Sequence, residues 1–306
     1  MLLEKKPSYI SLYQSGELLD RIKYLNDMLK SCELCPRKCH VDRIAGELGY
    51  CGAGFSVKIS SAFAHFGEEA ELVCEHGSGT IFLSHCNLLC SFCQNYDISH
   101  FGNGKELTAP ELAKVMISLQ QRGCLNINFV TPTHFAPQII AALPIAIESG
   151  LRVPIVWNCS GYESLEVIRL LKGIIDIYMP DAKFSDEKYA KAYANAEDYY
   201  LILKVVLKEM QAQVGELIIN EKGAAISGLL IMHLILPNNV ASSRKILKFI
   251  ANELSLDSYV NIMRQYRPCF KMGGDRLLGR AITDAEFWEV ITFANQIGLK
   301  RGFMQF

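Results

Sequence analysis

The sequence predicts an α/β fold built on a parallel sheet. From residue 80 onward, short apolar and β-branched runs alternate with longer helical patterns. Six such runs, each followed by a helical stretch, call for parallel strands joined by right-handed crossovers. A third observation puts chemistry at one edge of that sheet: Cys86, Cys90 and Cys93, a C-x3-C-x2-C triplet, follow directly on the first run.

Ahead of the alternating region, residues 16–31 place Leu18, Leu19, Ile22, Leu25, Met28 and Leu29 on one face at helical spacing. Cys32, Cys35, Cys39 and Cys51 come next, in the tight-turn setting of Pro36, Gly46, Gly49 and Gly52. Residues 57–63 and 71–74 read as short strand-like pieces, and Gly77–Thr80 (GSGT) as the turn into the first strand of the alternating region, residues 80–83. Thr108 and Glu111 form a capping box that opens a helix running to about residue 122. Strands follow at 127–131, 153–158, 174–181, 228–236 and 259–263. Helices are expected at 135–149, 163–171, 186–194, 199–213, 241–254 and 284–297.

Half of the 306 residues are apolar and the net charge is −1 with the signs interspersed. The chain can bury a sizeable core, and nothing electrostatic points to nucleic acid or an anionic membrane. No apolar run approaches the roughly 18 residues of a membrane span. The first residues, MLLEKKPS, show no secretory signal. Eleven cysteines clustered in a large apolar chain read as metal ligands in a reducing cytoplasm rather than as disulfides.

Thiolates suit iron–sulfur clusters and zinc. A cubane cluster is normally closed by four cysteines, so three on one short loop hold three irons and leave the fourth open to a small molecule. Phe92, just before the last cysteine, sets an aromatic face beside that open iron. Zinc is the rival for the triplet, but structural zinc takes four ligands. Cys32, Cys35, Cys39 and Cys51 do supply four, enough for zinc or a second, closed cluster. Polar residues just past the strands would meet at the same edge: Thr131, Thr133 and His134; Asn158, Ser160 and Gly161; Asp181 and Lys183; Tyr266 and Arg267. A surface or helix-cap position is the competing reading of His134. A core position is the reading of His233.

Cys86, Cys90 and Cys93, with Phe92 between them, resemble the signature of the radical S-adenosylmethionine superfamily. Gln94, Asn95 and the later segments resemble its pyruvate formate-lyase activating enzyme-like branch, over nearly the whole chain from Cys32 onward. The resemblance implies a partial (β/α)6 barrel over residues 77–306. Residues 1–76 would form a helical and cysteine-rich N-terminal extension, itself similar to that of the branch. It implies an oxidoreductase whose 4Fe-4S cluster binds S-adenosyl-L-methionine and cleaves it reductively to a 5′-deoxyadenosyl radical. By resemblance Asn158 and Ser160 contact that cofactor, and Asp181 and Lys183 form a D-x-K element with a monovalent cation beside the carboxylate. Tyr266 would close over the adenosine. The Gly-Gly-Glu segment common in the superfamily is absent, so its role falls to Thr131 and Thr133. His85, Leu89 and Met232 depart from the branch pattern. The implied partners are a glycyl-radical protein as substrate and a flavodoxin or ferredoxin as electron donor. A small-molecule or peptide substrate is the alternative. A non-catalytic metal-binding interaction protein, with both cysteine groups closed, is the reading from another class.

Overall fold

A computed structural model describes residues 6–302; the first five residues, and with them part of the leader reading, lie outside the described residues. The chain opens with α1 (Tyr9–Ser15) and α2 (Glu17–Asp27), then an irregular cysteine-rich stretch, then β1 (Val57–His65) and the short α3 (Ala70–Val73). The alternating region follows: β2 (Ser78–Leu83), α4 (Tyr96–Ser99), β3 (Lys105–Leu107), α5 (Ala109–Gln121), β4 (Ile127–Val130), α6 (Ala136–Glu148), β5 (Ile155–Cys159), α7 (Leu165–Leu170) and β6 (Ile177–Pro180). It continues through α8 (Glu187–Ala194), α9 (Tyr199–Val214), β7 (Ile218–Ile219), β8 (Ala225–Leu234), α10 (Ser243–Phe249), β9 (Tyr259–Met263) and α11 (Asp284–Gln296).

Strands β2, β4, β5, β6, β8 and β9 pair in that order, every pair parallel. The strands are those of the alternating pattern, and their C-terminal ends therefore share one edge. β1 lies antiparallel on the outer side of β2, β3 pairs antiparallel with β1, and β7 with β8. Period-2 alternation divides the side chains between two cores. Phe129, Ile155, Trp157, Tyr178 and Ile231 face the helices. Val156, Ile177, Met179, Leu230 and Tyr259 gather on the other face, where Leu72 of α3 joins them. Each such burial contributes about 1.5–3 kcal/mol.

The capping box at α5 is present in both directions, and a second, Thr283 with Glu286, opens α11. The N-terminal part is tied to the rest by buried polar bonds. Ser8 donates from N and Oγ to Asp176 Oδ1, at 2.9 and 3.0 Å, while Asp176 Oδ2 accepts from Ile155 N.

Several elements differ from expectation. Residues 70–73 are helical, not a strand: the Glu69 carbonyl accepts from Leu72 and Val73, and the turn carries Leu72 onto the inner sheet face. Ser78 and Gly79 belong to β2 rather than to a turn before it. The first amphipathic helix ends at Asp27, preceded by the unforeseen α1, and β3 and β7 are too short to leave a periodic signature. α10 ends at Phe249 and continues as a π-helical turn, Ile250–Leu254.

Candidate active site

The loop after β2 turns through two residues with positive φ, His85 (+70°) and Leu89 (+53°), conformations that non-glycine residues rarely adopt. Those turns bring the thiols of Cys86, Cys90 and Cys93 to one cavity of about 310 Å³. The same cavity is lined by Phe92, Thr131, Asn158, Ser160, Asp181, Lys183 and Tyr266. Strand topology explains this: residues far apart in sequence sit at the C-terminal ends of neighbouring parallel strands. Burial pushes the Cys86 thiol up to about 11 and the Cys90 thiol higher still, and the neighbouring thiols of the triplet add to the rise. Leu88 N donates to Cys86 Sγ (3.4 Å) and Ser99 Oγ to Cys93 Sγ (3.3 Å), bonds of the kind that stabilise thiolate once charge develops.

Phe92 is nearly buried, edge-on to Phe184 and Tyr266 with ring centroids 5.8 and 6.1 Å away. Tyr266 donates its hydroxyl to the Leu278 carbonyl at 2.7 Å, so it offers the cavity its ring and not its O–H. Asp181 Oδ2 accepts from Lys183 Nζ at 2.6 Å. Burial works against the Lys183 ammonium, but Asp181 and the neighbouring thiols offset it and hold the amine above the ordinary lysine range. Thr131 sits at φ +58° at the end of β4, and its N–H donates to the Asn158 carbonyl (2.8 Å). A β-branched residue in that region is strained, which is a recurrent property of functional sites.

Tyr199 was not legible as a site residue. Its hydroxyl lies 2.9 and 2.7 Å from the Ser160 and Asp181 carbonyls and accepts from Lys183 N at 3.0 Å, so it braces the ends of β5 and β6. Gly161 has φ +74°, and a Cβ there would come within 2.5 Å of the Asp181 carbonyl oxygen; only glycine allows the two strand ends to approach so closely.

Two expectations are corrected. Thr133 does not reach the cavity, because its hydroxyl donates to Glu163 Oε1 at 2.7 Å in a fully buried pair. His134 is neither a surface residue nor a helix cap: it is buried, its Nε2 2.8 Å from the Ser84 carbonyl, and burial pulls its pKa to about 3. His233 is the satisfied core histidine expected, held between the Ala182 carbonyl and Ser243 Oγ. Two further cavity residues, Glu68 and Glu69, arrive from the loop before α3 and carried no sequence signal.

Glu163 gives a pH prediction. Burial raises its pKa to about 7, against the hydrogen bond it accepts from Thr133. The native state keeps this proton above the ordinary value of 4.5, where the unfolded chain has lost it. The stability it supplies is therefore complete below that value and lost as pH rises through about 7. Glu163→Gln is expected to flatten the fall in unfolding free energy from acid to mildly alkaline pH. Each tenfold difference in proton affinity between the folded and unfolded chain is worth about 1.4 kcal/mol, so the variant should be up to about 3 kcal/mol more stable than the parent on the alkaline side. Urea melts at several pH values check it.

The stretch that carries the four N-terminal cysteines touches the triplet loop: a Cβ on Gly52 would stand 3.2 Å from His85 Nδ1. Tyr50 N donates to Cys39 Sγ at 3.3 Å, and the thiols of Cys35 and Cys51 face backbone N–H groups of Arg37 and Ala53. A Cβ on Gly49 would stand 2.9 Å from Cys39 Sγ, so the chain closes tightly on that sulfur. Burial, then the charges of their companions, raise Cys35 and Cys51. Arg37 Nε donates to the Asn87 carbonyl at 3.0 Å, joining this group to the loop between Cys86 and Cys90. Among the described residues, no three His, Cys, Asp or Glu side chains are grouped to hold a single metal ion. Cubane ligands each take a different iron, so they need no such convergence on one point.

The donor set thus fits a cluster held by three thiols, with polar strand ends beside it. Comparison with known proteins agrees. Residues 80–219 match the radical SAM superfamily. An uncharacterized protein of Methanocaldococcus jannaschii, MJ0674, is 31% identical over 298 residues, spanning 94% of this chain and 81% of the relative. A second uncharacterized protein of that organism, MJ0808, is 23% identical over 274 residues, 81% of this chain and 74% of the relative. The chain belongs to the radical SAM superfamily. Membership implies an enzyme that binds a 4Fe-4S cluster and S-adenosylmethionine and cleaves the latter for radical chemistry. Among the described residues no helix is long and apolar enough to cross a membrane.

Proposed function

We propose that this chain is an activating-enzyme-like radical SAM oxidoreductase of the cytoplasm, built as a partial (β/α)6 barrel over residues 77–306 with a metal-binding extension over 1–76. One observation carries the reading: the three thiols share a single cavity with the strand-end residues Thr131, Asn158, Ser160, Asp181 and Lys183. In this reading Cys86, Cys90 and Cys93 hold the cluster. When bound, the cluster and S-adenosylmethionine together supply a low-potential electron and a hydrogen-abstracting radical.

The protein's own share is positioning and exclusion of water. Phe92 and Tyr266 wall the cavity with aromatic faces. Asn158 and Ser160 present an amide and a hydroxyl, and the strained Thr131 presents backbone groups at the end of β4. Lys183 keeps Asp181 oriented through Oδ2, so Oδ1 is the oxygen offered to a monovalent cation. At Cys32, Cys35, Cys39 and Cys51 the candidates are zinc and a second cluster. Zinc would draw the sulfurs to about 3.8 Å from one another, the edge of a tetrahedron with 2.3 Å bonds.

Abstraction from a glycine of a partner protein, with a flavodoxin or ferredoxin as donor, is the reading that the branch resemblance supports. A small-molecule or peptide substrate is the second reading. It is favoured by a specific observation: the cavity continues past the thiols to the carboxylates of half-buried Glu68 and buried Glu69. Anaerobic reconstitution followed by assay for 5′-deoxyadenosine is expected to give product with a strong reductant. An intact cluster without product would sink the enzyme assignment. A co-purifying glycine-loop protein that gains a glycyl-radical signal would select the first reading.

A further inference from the structure

The carboxylates of Glu68 and Glu69 line the same cavity as the three thiols, yet nothing in the chemistry above uses them. They are carried there by the turn that also buries Leu72 on the inner sheet face. Glu69 is 3% exposed. Its Oε1 accepts from Asn261 Nδ2, while Oε2 is buried and completes no hydrogen bond of good geometry, the Glu68 carboxyl being the neighbour of this carboxylate. Asn128, on β4, is fully buried, and neither its Nδ2 nor its Oδ1 completes a hydrogen bond of good geometry. The Glu68 carboxylate stands against that amide. Buried polar atoms left unpaired are costly and rare, so Glu69 Oε2 in the cavity wall, with the Asn128 amide behind Glu68, calls for a ligand that pairs it.

The charges decide its sign. Asp181 adds a third carboxylate whose field reaches both glutamates. Of the two cations that line the cavity, Lys183 is committed to Asp181, and Arg267 is exposed and is not among the charges that act on either glutamate. Burial first, then mutual repulsion with Glu69 and Asp181, raises Glu68 to about 8, and Glu69 is raised as well. Two glutamates and an amide are fewer ligands than a bare divalent ion takes. With no ligand bound the raised glutamates hold a proton near neutral pH; an organic cation with several N–H groups would displace it and leave carboxylate acceptors for its own donors.

We propose that Glu68, Glu69 and Asn128 form a substrate subsite for the ammonium or guanidinium group of a small molecule, reached from the cavity that holds the thiols. This rests on the second reading above and specifies its substrate class.

The test is calorimetric titration of the reconstituted protein with bound S-adenosylmethionine, anaerobically and near neutral pH. The probes are n-butylammonium and agmatine, with n-butanol and butyrate as neutral and anionic counterparts and a capped Gly-Arg-Gly peptide. The cations are expected to bind and the counterparts not. Glu68→Gln and Glu69→Gln are each expected to weaken cation binding about tenfold or more. Equal binding of charged and neutral probes, or none by either cation, overturns the subsite; this comparison needs only the parent protein and stands even if a variant misfolds. Binding unchanged in both folded variants overturns it too. Binding of the peptide without the free cations overturns the small-molecule assignment. Cofactor cleavage without added probe is measured in parallel. Cleavage without cation binding removes the subsite alone. Cation binding without cleavage removes the radical reading and leaves the subsite.

Discussion

Cys90→Ala is expected to abolish binding of the cluster at the triplet and reduce 5′-deoxyadenosine formation to background while the fold persists. Cys90 is nearly buried among apolar neighbours, and its thiol is raised by burial and by Cys86 and Cys93. Such a thiol has little reason to ionise unless a metal compensates the charge. Removing one sulfur deletes a small volume, which costs about 1 kcal/mol or less on the scale of core truncations, but it removes one of three anchors. The contrast is Cys159→Ala. Cys159 lines the same cavity and is also buried, but lies outside the triplet, so this variant should keep its iron. Iron analysis, the cluster's visible absorption and the cleavage assay read both variants. A Cys90→Ala protein with full iron and activity would end the ligand assignment.

Arg43→Met is expected to give the largest loss of stability of any single arginine change. The guanidinium is 1% exposed. Nε and Nη2 donate to the Gly54 carbonyl, Nη1 donates to the His134 carbonyl at 2.6 Å, and the group lies over the Phe135 ring at 5.7 Å. Arg43 thus stitches the cysteine-rich stretch to the turn that follows β4 and Thr131. Methionine fills the space but strands two buried carbonyls. At about 1.5–3 kcal/mol for each charged bond lost, the expected cost is about 3 kcal/mol or more. Arg43→Lys should recover part of it, since an ammonium cannot span both acceptors. The exposed pair Arg264–Asp284 is the comparison, and its loss should cost about 1 kcal/mol or less. Urea midpoints for the three variants, read with cofactor-site activity, separate this stitch from a catalytic role.

Much of the sheet was legible because its strands are continuous apolar runs between capped helices. The run at 127–131, for example, predicts β4 to within a residue. The short partners β3 and β7 were not, because two or three residues carry no period. Residues 71–74 were misread for a related reason: four residues of mixed polarity fit a strand or a helical turn equally, and the Glu69 carbonyl decides the matter. Among site residues, Thr133 looked like Thr131 in sequence. Only the buried carboxylate of Glu163, thirty positions away, shows that its hydroxyl is occupied.

By itself the sequence determined the metal chemistry, since three thiols at that spacing on a strand-end loop admit few uses, and the order of strands that brings Asn158, Ser160, Asp181 and Lys183 to the same edge. What only the tertiary structure decided is the other wall of the cavity, Glu68 and Glu69, and the residues behind the lining, Asn128 and the bracing Tyr199. Ligand spacing is a local property of a few residues and survives in the linear text. The burial and unmet hydrogen bonds of a carboxylate depend on which distant segments fold over it, and no period or motif records that.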